Sequence, residues 1–304
     1  MKLSVFGMAL VLVAGPAVAV ADEMDDAYQS LKDAVAKKDA AAVKKVAPDA
    51  YKLAKQAENE AAPTNADEKE AWTQHVAYAK DVESFTEYSL YATAVQSPSE
   101  TLIDLIQMLE QINPKSKYLA DAYAPYFAAL NATGAAAKIP GIAEKALESQ
   151  PENEEVLAVL ADEAFNRKQM DRALTLANRL TAAASKRARP ENIPAAEWER
   201  QHGALLGRGY WMAGVIYGDR QQFALSDKAL RAALPLIRGN NAMAGPALFM
   251  LGVDNYQLGK MTNNKAKILE AAKFSEDAAA IPGSYADQAW RNAQLMKTEA
   301  GRMR

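Results

Sequence analysis

Only two histidines, His75 and His202, and no cysteine occur among the 304 residues. The chain therefore holds few groups able to act as nucleophile, base or metal ligand near neutral pH. Glu199-x2-His202 is half of the Glu-x-x-His pattern that holds a di-iron pair in helical bundles, and that chemistry needs a second copy on a facing helix. No second copy occurs. The G-x-S-x-G elbow, the phosphate-cradling G-x-x-x-x-G-K-[ST] loop and the zinc-binding H-E-x-x-H helix are all missing. Carboxylates are plentiful, and two facing ones can hydrolyse a glycosidic bond, yet nothing in the sequence singles out a pair. Asp22, Glu23, Asp25 and Asp26 cluster without the glycine and spacing of a calcium loop. Acids placed there complement the dipole of a starting helix. Asn131-Ala132-Thr133 fits a glycosylation sequon, but it falls in a turn, which accounts for its composition. The expectation is a chain with no catalytic, cofactor or metal site.

The ends and the composition narrow the class. Met1-Lys2-Leu3 leads into an apolar run through Val20, broken by Gly15-Pro16 and closed by Ala19-Val20-Ala21 before Asp22-Glu23. One cation, an apolar stretch and a small-residue tail form a secretory signal layout with cleavage after Ala21, and the rival reading is an uncleaved membrane anchor. An exported, periplasmic or secreted protein follows, with no stable membrane span once the signal is removed. Lacking cysteine, it has no disulfides or thiolate metal sites. Its formal charge of −3, spread along the chain, gives no reason to expect nucleic acid.

These side chains must be positioned by helices, because strand patterns are almost absent. Apolar residues recur at helical spacing between turn-forming clusters such as Lys37-Lys38-Asp39, Ala62-Pro63-Thr64-Asn65, Ser97-Pro98-Ser99 and Gln150-Pro151-Glu152-Asn153. Gly218-Asp219, Gly239-Asn240-Asn241 and Pro282-Gly283 punctuate the second half. Alternation of Ala with larger apolar residues on one face suits closely approaching antiparallel helices. An all-α array of helical hairpins is expected. Residues 1–21 form the signal and 22–65 an N-terminal hairpin, while 66–304 form a repeat array ending in a capping helix.

Self-similarity fixes the kind of array. Tyr123, Tyr126, Phe127 and Leu130 map onto Leu157, Leu160, Ala161 and Ala164, and Ile139 and Ala143 map onto Ala173 and Ala177, all at a 34-residue offset. Gly134 stands at the turn and Pro151 at the close of the unit. Tyr210-x2-Ala213-Gly214-x2-Tyr217 with Ala229-x3-Ala233, Leu248-x2-Leu251-Gly252-x2-Asn255 and Tyr88-x2-Tyr91-Ala92-x2-Val95 repeat the frame. Small residues such as Gly214 and Gly252 let two helices touch. Here the chain resembles the tetratricopeptide repeat (TPR) family, with its W-x2-L-G-x2-Y first helix, A-x3-F second helix and closing proline. Spacing is altered around a long helix from about Ala195, and the turns from Gly218 to Phe223 and from Gly259 to Lys265 read as expanded.

The resemblance implies a right-handed superhelix whose first helices line a concave groove. It places Ser89, Thr93 and Gln96 in that groove, then Ala124, Ala128 and Asn131, then Ala158, Asp162 and Phe165. Trp211 and Val215 follow, and then Phe249, Val253 and Tyr256. The C-terminal half is thus apolar and aromatic, with Phe165, Trp211, Val215, Phe249, Val253 and Tyr256 as the candidate protein-binding groove. TPR proteins that grip a carboxylate terminus use Lys, Asn and Arg there, so that mode is disfavoured. The other reading makes these aromatics core, covered by the last helix, Tyr285 to Ala300, or by the helix near Trp198. The function expected is a non-catalytic protein- or peptide-binding scaffold of the cell envelope. The alternatives are a carbohydrate- or cell-wall-acting enzyme using carboxylates, and a self-associating structural protein.

Overall fold

The computed structural model describes residues 16–189, 191 and 193–303. Most of the signal segment lies outside these residues. Helix α1 (Pro16–Ala36) runs without a break across the expected cleavage point. No helix among the described residues is long and apolar enough to cross a membrane. All regular structure among them is helical. The chain forms two compact units, the first ending at Ala136 and the second beginning at Ala137.

In the first unit α1 is followed by α2 (Ala40–Glu58), α3 (Ala66–Ala94), α4 (Ser99–Ile112) and α5 (Leu119–Ala132), each packed on the next. Met24, Ala54, Ala57, Ala79 and Val82 are fully buried where α1, α2 and α3 meet. Alanines at these positions let the helix axes approach closely. A buried carboxylate, Glu87, accepts from Asn113 Nδ2 and Ser116 Oγ, each at 2.7 Å, and so ties α3 to the loop after α4.

The second unit holds α6 (Ile139–Ser149), α7 (Glu154–Asn166), α8 (Met170–Lys186), α9 (Ala195–Asp219), α10 (Phe223–Ile237), α11 (Asn241–Met261), α12 (Lys265–Ala279) and α13 (Ala286–Arg302). Consecutive helices pack from α6 to α13 apart from their turns, and α7 also touches α9, α9 touches α11, and α11 touches α13. Within this unit the even-numbered helices approach one another less among the described residues. A stack with this pattern carries its odd-numbered helices on the inner side.

One turn recurs through both units. Lys38, Gly134, Lys168, Gln221 and Asn263 all have positive φ, between 47° and 74°. The residue after each donates its amide to the carbonyl five positions back: Asp39 to Ala34 at 3.0 Å, Ala135 to Leu130, Gln169 to Ala164 and Asn264 to Gly259 at 2.8 Å, Gln222 to Tyr217 at 2.9 Å. This is the Schellman closure of a helix, and the next helix starts right after the donating residue, with a single 3-10 turn (Ala136–Lys138) before α6. Gly134 and Lys168 lie 34 positions apart, as the self-similarity requires, while the later turns follow at intervals of 53 and 42 because α9 and α11 are longer. The turns expected to be expanded are not. Gly218 and Gly259 sit inside α9 and α11, and each turn keeps the same three residues.

The helical glycines do a different job. A Cβ on Gly214 would lie 2.6 Å from Leu230 Cγ, and one on Gly252 would overlap Ser275 Oγ and stand 3.3 Å from the Ala271 carbonyl oxygen. These glycines let α9 meet α10 and α11 meet α12 at backbone distance.

Candidate functional site

The six candidate groove residues all lie in the second unit, on α7, α9 and α11, and all are half-buried. They form two groups. Phe165 of α7 and Trp211 of α9 meet with ring centroids 5.7 Å apart and planes tilted by 54°. Trp211 and Val215 rest on the core of Leu230, Ala233, Ile237, Ala247 and Leu251. The indole Nε1 donates to the Met243 carbonyl at 3.0 Å, so Trp211 also ties α9 to the start of α11.

The second group lies along α11 and leans on the last helix. Phe249 packs against Tyr285 with centroids 5.0 Å apart. Tyr256 donates its hydroxyl to Glu299 Oε2 of α13 at 2.7 Å and packs against Ile268, Ala271, Ala272, Met296 and Ala300. Burial, and then the Glu299 carboxylate, push the Tyr256 phenol up to about 12. Tyr285 and α13 thus contact Phe249 and Tyr256, which both remain half-buried.

Charged residues not singled out in the sequence, Arg208 and Glu155 among them, join Asp162 beside the aromatic pair. Asp162 stands one turn before Phe165 on α7, and Arg208 one turn before Trp211 on α9, and the two form an ion pair. Helical spacing thus sets an ion pair and a ring pair side by side across two odd-numbered helices. Glu155, further up α7, is pushed above the usual carboxylate range by burial, against the pull of Arg208. Burial lowers the Arg208 guanidinium. Beside them Arg187 Nη1 lies 2.9 Å from the buried Glu154 Oε2. The signal in the sequence was an arginine on the same helical stripe as Trp211. Its guanidinium is already taken by Asp162, so no carboxylate clamp is open there.

The small, polar half expected in the first unit differs in one respect. Ser89 is fully buried and donates its hydroxyl to the Phe85 carbonyl, while Gln96 is exposed. Of the two histidines, His202 is half-buried and stacks on Trp198 with centroids 4.5 Å apart, and His75 is half-buried on α3.

One carboxylate pair does stand out. Lys55 Nζ lies 2.5 Å from Glu58 Oε2 and 3.0 Å from Glu83 Oε2, between α2 and α3. The Lys55 bond holds Glu58 below the ordinary range, and burial pushes Glu83 above it. Opposed shifts are the mark of an acid–base pair, but here a lysine sits on both groups and the other Glu83 oxygen is buried. A substrate would have to displace Lys55 to reach them. No group of three or more metal-ligating side chains is assembled among the described residues.

No protein-family model matches the chain, and no curated protein matches it. The architecture is that of an all-α stack of helical hairpins, and the likeness to the TPR family rests on the residues quoted above.

Proposed function

We propose that the second unit is a non-catalytic, TPR-like scaffold that binds a protein or peptide partner on the inner face of α7, α9 and α11. The reading extends to a right-handed superhelix in an exported protein of the cell envelope. The observation that carries it is the Phe165–Trp211 pair, half-buried on adjoining inner helices and flanked by the Asp162–Arg208 ion pair. Aromatic side chains set in a concave, partly desolvated face are the usual anchors for a partner's apolar groups. The neighbouring ion pair supplies a polar rim.

Trp211 and Tyr256 each hold a structural hydrogen bond, so Phe165 and Val215 are the better probes, since they carry no polar group. The test is crosslinking in intact cells with the tagged protein, followed by mass spectrometry of what is captured. One dominant partner, lost with Phe165→Ala plus Val215→Ala in a protein that keeps its helical melting curve, supports a binding face. Capture undiminished by both changes sinks the assignment. Recovery of the chain alone points to self-association.

A further inference from the structure

Asp254 on α11 is fully buried, and among the described residues neither carboxyl oxygen is paired in a hydrogen bond. The donors around it are engaged elsewhere, and only the Ser226 hydroxyl is close enough to favour its charged form. Ser226 of α10, beside it, gives its one hydroxyl proton to the Gly214 carbonyl of α9 at 2.9 Å. Asn255 uses both amide hydrogens, on Asp227 Oδ1 at 2.6 Å and on the Leu251 carbonyl at 2.9 Å. Arg231 donates to Asp227 at 2.8 Å and to Asn255 Oδ1 at 3.1 Å, and pairs with Glu270 of α12 at 2.9 Å.

The charge that acts on Asp254 is another negative one. From α10 it faces Asp227, whose ion pair with Arg231 leads on to Glu270 of α12, and Arg231 in turn lies over the Phe274 ring. On α9 the Gly214 carbonyl takes the Ser226 hydroxyl, and the Tyr217 hydroxyl accepts from Asn178 of α8. An ionised carboxylate without water, donor or cation costs several kcal/mol in general, whereas a protonated one costs far less.

We propose that Asp254 is a pH-sensing residue: protonated, it allows α11 to stay packed against α9 and α10, and its ionisation loosens that packing. Burial pushes the carboxyl up to about 7 from an ordinary value of 3.8; the Ser226 hydroxyl beside it pulls the other way, and the Asp227 charge adds a smaller push upward. A group whose pKa rises on folding contributes stability that is complete below its unfolded value and is lost as the pH climbs through the folded one. The window therefore runs from about pH 4 to about pH 7. Because α11 carries Phe249, Val253 and Tyr256, the loosening reaches that part of the face.

Hydrogen exchange of the full chain, followed by mass spectrometry at pH 5.5 and 8.5 and corrected for intrinsic rates, reads the effect directly. Linkage allows up to tenfold per pH unit, so the opening constant of amides in α11 should rise at least about tenfold, while those of α2 and α3 hold. Asp254→Asn keeps the shape without the charge and should give α11 the same protection at both pH values. Unchanged opening in the wild type overturns the proposal, as does a pH dependence that survives Asp254→Asn. If that variant does not fold, Asp227→Asn removes the facing charge while leaving Asp254 in place. It should move the loosening midpoint to lower pH, and a midpoint that stays put counts against the proposal.

Discussion

The glycines of α9 permit a test of how the helices are spaced. Gly203 and Gly214 are eleven residues apart, three turns on the same face, and both look toward α10. A methyl on Gly203 would meet Leu236 Cδ2 at 3.5 Å, an ordinary contact with a partly exposed side chain. One on Gly214 would stand 2.6 Å from both Cγ and Cδ2 of Leu230, which is fully buried, and 3.2 Å from its backbone nitrogen. Carbon atoms pack best at roughly 3.5–4.0 Å, so the second methyl lacks about 1 Å of room, and Leu230 has nowhere to turn.

Replacing a helical glycine by alanine gains about 1 kcal/mol of helix propensity at either site. At Gly203 that gain stands, and Gly203→Ala should stabilise the second unit by about 1 kcal/mol. At Gly214 overpacking costs about 1–3 kcal/mol, leaving a net loss of about 1. For a unit of this size the gap of about 2 kcal/mol amounts to roughly 4–8 °C in melting temperature. Circular dichroism and tryptophan fluorescence across a thermal or urea transition would measure it. If Gly214→Ala proves as stable as Gly203→Ala, the close approach of α9 to α10 is not what Gly214 secures.

Two further perturbations follow from the same structure. Lys168 and Gln221 hold left-handed φ values that cost a side chain about 1–2 kcal/mol; Lys168→Gly and Gln221→Gly should each stabilise by about 0.5–1 kcal/mol in urea, and Gly134→Ala should lose about as much. Arg208→Met leaves Asp162 and Glu155 without their cation and should cost about 1–3 kcal/mol, less than a fully buried pair because the Arg208 side chain is 41% exposed. That loss should be larger at pH 8 than at pH 5: without Arg208 the Glu155 carboxyl rises further, and stability tied to a raised carboxyl is lost as pH increases. Equal losses at both pH values would show that Glu155 does not feel Arg208.

Helix content and hairpin order were legible because alanine-rich amphipathic runs and Pro or Asx breaks are local signals. Asp39, Asn65, Asn153 and Asn264 each cap a helix with a side-chain oxygen, within the clusters read as turns or just beyond them. Lys38 and Gly134 were read correctly as turn positions, but the later turns were not. Gly218 and Gly259 suggest chain reversal by type, yet both lie in helices and serve packing, while the reversals fall on Gln221 and Asn263. A glycine needed for close approach and one needed for positive φ look alike in one dimension, and only the partner helix tells them apart. The boundary after Ala136 was equally hidden, since the self-similarity between α5 and α7 runs across it.

The candidate face shows the same limit at the level of side chains. Trp211 and Tyr256 fit the helical stripe equally well as anchors or as core, because each has an apolar body and a polar end, and the polar end decides. Its partners, the Met243 carbonyl and Glu299, lie 32 and 43 residues away in sequence, beyond any local pattern. With those ends tied down, the indole and the phenol act as fixed walls. Phe165 and Val215 have no such tether. A partner side chain settling against them displaces only water from apolar surface, a gain of about 25 cal/mol for each Å² covered, and breaks no protein hydrogen bond. Binding energy should therefore concentrate on the α7–α9 half of the face, with the α11 half, held by α13, shaping its edge. A partner that engaged Tyr256 first would have to compete with Glu299 for its hydroxyl, and substituting Glu299→Gln would then strengthen capture rather than leave it unchanged.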